Sequence, residues 1–219
     1  MGRPPALSRE RIIDGAAALI AEHGADALSA RRLGEALGCD PSALYRHFED
    51  MGELKREVGD RYLATARVGE RTNESWRCAL RRICIELRKV QLRQPRLAAL
   101  VRAAPTRLAN ELRITEALLR ELARGGFDLA SAASAYHSLI ELTVGSAAID
   151  ADLGGQPAAD RRKAYREWQR HYAALDPIEF PHAVAIASHL YVGSADARFL
   201  EALDALLAGL SSLERQATQ

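Results

Sequence analysis

The sequence predicts an all-α protein with a small N-terminal helical domain and a larger C-terminal helical domain. Of its 219 residues, 48% are hydrophobic but only 5% are aromatic. Ala and Leu are abundant while β-branched residues are sparse, which favours helix over strand. Apolar residues recur three and four positions apart, as on one face of a helix, and no segment is a convincing strand. We place the two domains at residues 1–50 and 51–219.

The first helix is predicted between Ser8 and Gly24. Ser8 is a favourable N-cap residue, and Gly24 suits the left-handed conformation in which helices often end. Between them the apolar positions fit a period of 3.6 rather than 2. They are Ile12, Ile13, Ala16, Leu19 and Ile20.

A second, shorter helix is predicted after Ser29, which is again a cap residue. It carries Leu33 and Leu37 toward the core and ends at Gly38. A break at glycine directly after a two-turn helix is typical of the turn in a helix-turn-helix.

A third helix of about two turns is predicted from Pro41 to about His47. Asp40 is a favourable N-cap, and Pro41 occupies the first helical position, where its missing N–H has no cost. Leu44 and Phe48 are expected to be buried, which leaves the other side chains of this helix exposed. Two short helices joined by about three residues around a glycine predict a helix-turn-helix, with the first helix as a brace.

Longer helices are predicted in the remainder of the chain, where loops are marked by Gly and Pro. The clearest loop is Gly154 to Pro157. The predicted helices run from Gly52 to Thr72, Ser75 to Gln94, Pro105 through Leu122, Leu129 to Ile149, Asp160 to Ala174, and Asp196 to Leu213.

Composition limits the class of protein. No run of 18 or more apolar residues predicts a membrane span, and the polar start of the chain does not resemble a signal peptide. Three scattered cysteines, Cys39, Cys78 and Cys84, do not form a disulfide framework and fit a reducing cytoplasm. The net charge of +1 means that any DNA-binding cations must be placed locally.

The stretch from Leu7 to Val58 resembles the DNA-binding domain of the tetracycline-repressor (TetR) family. The resemblance rests on the Ile-rich first helix ending in Glu-His-Gly, the segment LGEALG, and the run Leu-Tyr-Arg-His-Phe at residues 44–48. The segment RFLEALDALLAGL near the C-terminus also resembles a branch of that family. The resemblance implies a ligand-responsive transcriptional regulator, most often a repressor. Such a protein binds a palindromic operator in double-stranded DNA as a homodimer, and a small-molecule inducer releases it.

The resemblance, with the exposure expected for the third helix, implies a set of DNA-binding residues. A short helix fits the major groove, and cations or N–H groups at a helix start contact phosphates. Met51 stands where the family usually has a phosphate-binding Lys, and Lys55, one turn later, is a possible substitute. The expected residues are Ser29, Arg31, Arg32, Pro41, Ser42, Ala43, Tyr45, Arg46, His47 and Lys55.

The C-terminal domain is expected to pair subunits and to hold the inducer. For pairing we favour the helices Leu129–Ile149 and Asp196–Leu210; the alternative is that these faces are plain intramolecular core. The first helix offers mostly small residues, Ala132, Ala133, Leu139, Ala147 and Ala148. Candidate ligand-binding residues are polar or aromatic groups among apolar ones. His137 and Glu141 share a helix face, although such a pair is more often only a hydrogen bond, and the aromatic residues are more often core. The candidates are Trp76, His137, Glu141, Trp168 and Tyr172.

Other functions have less support. The sequence has no nucleophile motif, Gly-rich phosphate loop or metal-binding signature, so we expect neither an enzyme nor a cofactor or metal site. The alternative that remains is a helical small-molecule-binding protein whose DNA-binding domain has degenerated. Met51 favours it, as does the equal number of Arg and acidic residues in Met1 to His47.

Overall fold

A computed structural model describes residues 7–154 and 158–217 of the chain. Within these ranges there are ten α-helices, three short 3-10 helices and no strand, so the predicted all-α fold is confirmed. The 3-10 helices are Ala25–Ala27, Pro41–Arg46 and Ala187–His189. The α-helices are α1 (Arg9–His23), α2 (Ala30–Leu37), α3 (Met51–Leu63), α4 (Trp76–Arg93), α5 (Pro95–Ala103), α6 (Ala109–Arg124), α7 (Leu129–Gly154), α8 (Ala158–Ala173), α9 (Pro181–Ile186) and α10 (Ala195–Ala217).

The first helices begin and end at the residues that the sequence predicts. The Ser8 hydroxyl caps α1 by accepting a hydrogen bond from the Arg11 N–H at 3.3 Å. Gly24 follows α1 with a φ of +87°, and Gly38 follows α2 with a φ of +68°. A side chain at either position would be strained, because L-residues rarely adopt positive φ.

One hydrophobic core runs from the N-terminal helices into the larger domain. Ile12 and Ile20 of α1 are fully buried against Leu33 of α2, and α3 continues the core with Leu54 and Val58. α3 also packs against α5 and α6, so it connects the first three helices to the remainder of the chain. The division at residues 50 and 51 stays a prediction.

The predicted helix from Gly52 to Thr72 is wrong in its second half, since α3 ends at Leu63. Arg113 of α6 donates to the carbonyl oxygens of Leu63 and Ala66 at 3.4 and 3.2 Å. Val68 is buried in the core, so the chain turns inward here. The partner that satisfies these carbonyls comes from a distant helix, and local sequence does not reveal it.

The prediction of a helix opening at Pro105 is also wrong. The chain forms α5 directly after Gln94, with Pro95 at its first turn, and α6 begins only at Ala109. Leu112, in the first turn of α6, is 57% exposed. The actual core face of α6 includes Ile114, Ala117, Leu118 and Leu122.

The long helix α7 hides part of the small-residue face that we expected to pair subunits. Ala132, Leu139 and Ala147 are buried within their own chain, whereas Ala133 is exposed. Sequence spacing alone does not show which of two adjacent rows of α7 faces the core, because both rows contain alanine.

In the described part of the chain no helix is long and apolar enough to cross a bilayer.

Candidate nucleic-acid interface and cavity

The Pro41–Arg46 helix presents Tyr45 and Arg46 to solvent. Leu44 and Phe48 are 1% and 4% exposed and anchor the helix to α1 and α2, whereas Tyr45 is 51% exposed. Asp40 and Pro41 start the helix as the sequence predicts. Two bulky side chains with hydrogen-bonding groups therefore protrude from a helix that its own core holds in place.

The helix is a 3-10 helix rather than the expected α-helix, and this determines which side chains share a face. Residues three apart are aligned in a 3-10 helix. The row of Pro41, Leu44 and His47 faces the domain, so Pro41 and His47 are only half-exposed, contrary to the prediction. Ser42 lies in line with Tyr45 on the exposed side. Ala43, in line with Arg46, is half-exposed as well.

The hydroxyl of Ser42 is already engaged at the start of this helix. Asp40 Oδ1 accepts hydrogen bonds from the Ser42 N–H at 2.8 Å and from the Ser42 hydroxyl at 2.6 Å. The hydroxyl bond is the main reason that the pKa of Asp40 lies below its ordinary value. Ser42 can thus still accept a hydrogen bond from a base, but donating one would require it to leave Asp40.

The start of α2 brings three of the expected phosphate-binding residues to the same surface. Ser29 caps α2 by accepting from the Arg32 N–H at 3.3 Å, and all three side chains are exposed. Arg31 forms an ion pair with Glu35 at 3.0 Å. Exposed pairs of this kind are weak, so Arg31 is available to a stronger anion.

The start of α3 is acidic. Asp50 caps the helix by accepting from the Glu53 N–H at 2.6 Å, and Glu53 in turn accepts from the Glu49 N–H at 2.5 Å. Met51 is half-buried against the core, and Lys55 is also half-buried. The position at which the family usually offers a cation to a phosphate is therefore a methionine with carboxylates on both sides.

Arg9, which the sequence analysis missed, connects α1 to this acidic segment. Its guanidinium donates to Glu53 at 2.6 Å, to Glu57 at 2.8 Å and to the carbonyl of His47. It also lies 4.3 Å from the centre of the Phe48 ring. The hydrogen bond from Arg9 is the largest cause of a lowered pKa at Glu53. Arg9 thereby fixes the end of the Pro41–Arg46 helix against α1 and α3.

A cavity of about 1240 Å³ lies where α1, α4, α5, α7 and α8 approach one another. The described residues that line it include six arginines and two aspartates. Arg88 is 4% exposed and donates to Asp150 and Asp196, and its Nε lies 3.2 Å from the Ser146 hydroxyl. Two carboxylates therefore neutralise this buried arginine, and the described lining of the cavity includes no third acidic residue.

The larger part of the chain matches a known family. A family model described as the tetracyclin repressor-like C-terminal domain matches residues 69–213, well over half of the chain. The chain belongs to the TetR family. A second model, of the tetR family of bacterial regulatory proteins, matches residues 12–58. The predicted membership is confirmed, and with it, at the level of the family, the prediction of a ligand-responsive transcriptional regulator.

Individual relatives agree with this TetR family assignment. The class C tetracycline repressor of Escherichia coli is 28% identical over 210 residues, covering 94% of this chain and 92% of its own. A helix-turn-helix transcriptional regulator of Saccharopolyspora erythraea is 28% identical over 166 residues, covering 76% of this chain and 70% of its own. The TetR family protein ActR of Streptomyces coelicolor, in complex with actinorhodin, aligns with a TM-score of 0.85 and 25% identity over 95% of this chain and 99% of its own.

The five predicted ligand-binding residues of this TetR family chain lie in three separate places. Trp76 is half-buried and packs edge-on against Phe127 at 5.4 Å. His137 and Glu141 are exposed on α7, while Trp168 and Tyr172 both lie beside Tyr191. None of the five is among the described residues that line the cavity, and their role in ligand binding stays a prediction.

Sequence analysis did not identify the cavity arginines because they come from separate helices. One feature of the sequence could have pointed to a buried arginine. Arg88 follows the buried Cys84 by four positions and so lies on the apolar stripe of α4. A charged residue on a buried stripe requires a partner in the interior. The partners, Asp150 and Asp196, are more than 60 residues away in sequence, and spacing does not reveal them.

Proposed function

We propose that this TetR family chain represses transcription by binding a palindromic operator as a homodimer and that a small-molecule inducer releases it. The observation that carries the proposal is the exposure of Tyr45 and Arg46 on a helix anchored by the buried Leu44 and Phe48. Anchoring matters because specific base contacts need side chains presented in a fixed orientation. The proposed role is regulatory rather than catalytic, in the cytoplasm.

The Pro41–Arg46 helix is proposed to lie in the major groove of the operator. Arg46 can donate two hydrogen bonds to a guanine edge, and Ala43 can contact a thymine methyl. Tyr45 and Ser42, on the neighbouring row, then face the backbone or the next base. Ser29, Arg31 and Arg32 at the start of α2 are proposed to contact phosphates, with Lys55 as a further cation; Pro41 and His47 lie at the edge of the contact.

Pairing of two copies is proposed through α7 and α10. A single short helix reads too few base pairs, and a symmetric dimer reads two half-sites that are one or more helical turns apart. The exposed face of α7 carries Ala133, Gly145 and the 68% exposed Ile149. α10 packs beside α7 and exposes Ala205 and Ala208. Small side chains on adjoining helices allow close approach of a second copy, and the exposed isoleucine supplies apolar area to bury.

The inducer is proposed to bind in the C-terminal domain. The relative ActR is a TetR family protein whose structure holds actinorhodin, and its fold matches this chain over nearly the full length. The cavity described above is large enough for a molecule of that class, since ligand pockets have volumes of roughly 300–1,000 Å³. We therefore propose a ligand of organic, drug-like size.

A second function is favoured by one observation, the acidic start of α3. Glu49, Asp50 and Glu53 would repel phosphate where the family usually attracts it, as expected for a small-molecule-binding protein whose DNA-binding domain has degenerated. Arg9 neutralises part of that charge through Glu53, so we favour the repressor.

Selection from random duplex DNA by the purified protein separates the two functions. We expect enrichment of a palindrome by the wild-type protein, loss of that enrichment with the Tyr45→Ala/Arg46→Ala double variant, and a dimer in sedimentation. The matched control is Arg166→Ala on the exposed face of α8. Failure to enrich any palindrome, or the same palindrome enriched by the double variant, would contradict the proposal.

A further inference from the structure

We propose that the arginine-lined cavity binds an organic anion and that Arg96 connects its occupancy to α1. The inference deepens the proposed function, on which it rests, by naming the chemical class of the inducer. The cavity is bordered by Ala21 of α1 on one side and by α4, α5, α7, α8 and the start of α10 on the others, so its wall includes both the helix-turn-helix brace and the larger domain.

The charges of the cavity favour an anion because, among the residues that the structure describes, four of the six lining arginines have no carboxylate partner. They are Arg93, Arg96, Arg102 and Arg162. Among the described residues, Arg93 and Arg162 make no hydrogen bond or ion pair with one another or with any other group. Within the described part of the chain, Arg102 donates to neutral oxygens, those of the Gln91 side chain at 3.3 Å and the Pro95 carbonyl at 3.4 Å. Guanidinium groups bind carboxylate, sulfonate and phosphate groups strongly through paired N–H donors.

The apolar lining and the volume favour an organic anion over an inorganic one. Leu92, Ala99 and Tyr165 line the same cavity as the arginines. A volume of about 1240 Å³ would leave inorganic phosphate surrounded mostly by water. A ligand whose acidic group binds the arginines and whose apolar body packs against these three side chains would match both the charge and the apolar part of the lining.

Arg96 provides a physical route from the cavity to the DNA-binding helices. It lines the cavity and donates from Nη1 to the carbonyls of Ala21, at 3.0 Å, and Glu22 in the last turn of α1. A bound anion competes with these carbonyls for the guanidinium, because a charge-assisted hydrogen bond is stronger than a neutral one. Occupancy would thereby loosen the attachment of α1, on which the Pro41–Arg46 helix packs.

Two dyes that share a fluorophore test the anion preference without DNA. The probe is 8-anilino-1-naphthalenesulfonate, and its neutral control is N-phenyl-1-naphthylamine, which lacks the sulfonate. We expect the sulfonate to bind more tightly, with an affinity that falls as salt is added. In the Arg93→Gln/Arg162→Gln variant the sulfonate should bind about tenfold more weakly, while binding of the neutral dye is unchanged.

The matched control variant is Arg166→Gln/Arg170→Gln, which removes the same charge from the exposed face of α8. Circular dichroism melts establish that the variants fold. The inference is overturned by equal binding of the two dyes, by absence of sulfonate binding, or by equal losses in the cavity and control variants. The dye experiment uses no DNA, so it can fail independently of the selection from random duplex DNA. If it fails while the selection still enriches a palindrome, only the anion site is refuted. If the sulfonate dye binds selectively but no palindrome is enriched, only the proposed repressor function is refuted.

Amide hydrogen exchange tests the role of Arg96. We expect the sulfonate dye to accelerate exchange in residues 20–24 of the wild-type protein but not of Arg96→Gln, in which the hydrogen bonds to α1 are already lost. An identical response in both proteins, or no response in the wild type, would refute the connection from the cavity to α1.

Discussion

The carboxylate of Asp60 on α3 caps the first turn of α6 by accepting hydrogen bonds from Asn110. The Asn110 N–H lies 3.1 Å from Oδ1, and its side-chain amide lies 2.8 Å from Oδ2. Oδ1 also accepts from the Glu111 N–H at 3.0 Å and from the Thr106 hydroxyl at 3.1 Å. Asp60 is only 6% exposed, so a buried carboxylate of α3 accepts the hydrogen bonds that Leu108, the N-cap residue of α6, does not accept with its side chain.

Replacement of Asp60 by Ala should destabilise the whole chain. The variant leaves the first N–H groups of α6 buried without an acceptor, which we expect to lower the free energy of unfolding by roughly 2 kcal/mol. Urea unfolding followed by circular dichroism measures the change. The control is Asp14→Ala, which removes an exposed ion pair with Arg61 and should cost less than about 0.5 kcal/mol. Equal costs would contradict the capping role.

Helix ends that depend on neighbouring residues were predictable from the sequence, whereas those set by tertiary contacts were not. Ser8, Ser29 and Asp40 accept hydrogen bonds from N–H groups two or three residues later in the chain, so a local pattern reveals them. The start of α6 depends on Asp60, which is 50 residues distant from Asn110. The end of α3 depends similarly on Arg113.

Introduction of a cation at the start of α3 should strengthen DNA binding. In Met51→Lys, the new ammonium group would offset the carboxylates of Glu49 and Asp50 and reach a phosphate. We expect affinity for duplex DNA to rise about tenfold at low salt and the slope of log K against log salt to steepen by about 2 for a dimer. Fluorescence anisotropy across a salt series measures both. Met51→Leu, which keeps the packing without the charge, should match the wild type; an unchanged slope in Met51→Lys would place α3 away from the phosphates.

The Arg82–Glu74 pair should stabilise the chain in a pH-dependent manner. Arg82 donates to both Glu74 oxygens, with the shortest bond at 2.7 Å, and this is the main cause of the lowered pKa of Glu74. A carboxyl whose folded pKa is depressed stabilises the protein above its unfolded pKa, near 4.5, and loses that contribution as pH falls through the folded value. Glu74→Gln should therefore be about 1 kcal/mol less stable at pH 7 and equal to the wild type in acid. A difference that is independent of pH would contradict this.

The two cysteines of α4, Cys78 and Cys84, should differ in reactivity. Burial raises the pKa of the Cys84 thiol to about 11, whereas Cys78 is exposed. Because the thiolate is the reactive form, iodoacetamide at pH 8 should modify Cys78 in the folded protein and leave Cys84 intact. Peptide mapping by mass spectrometry gives the result, with full modification in guanidinium chloride as the control. Rapid labelling of Cys84 would show that α4 and α7 separate readily.

The DNA-binding surface was more predictable than the cavity for a physical reason. Tyr45 and Arg46 lie on one short segment next to anchoring apolar residues, so sequence spacing places them together. The prediction that Pro41 and His47 are exposed was wrong because the helix is 3-10, which aligns both with Leu44. The cavity draws its arginines from helices distant in sequence, and only packing brings them together.

The central claim, that the Pro41–Arg46 helix reads base sequence, is tested most directly by comparing Arg46→Ala with the wild type on two duplexes. One duplex carries the selected palindrome and the other a shuffled sequence of equal length, and anisotropy titration at constant salt gives both affinities. We expect a loss of about 1–3 kcal/mol on the palindrome and little change on the shuffled duplex. An equal loss on both duplexes, or no loss on either, would contradict base reading by this helix.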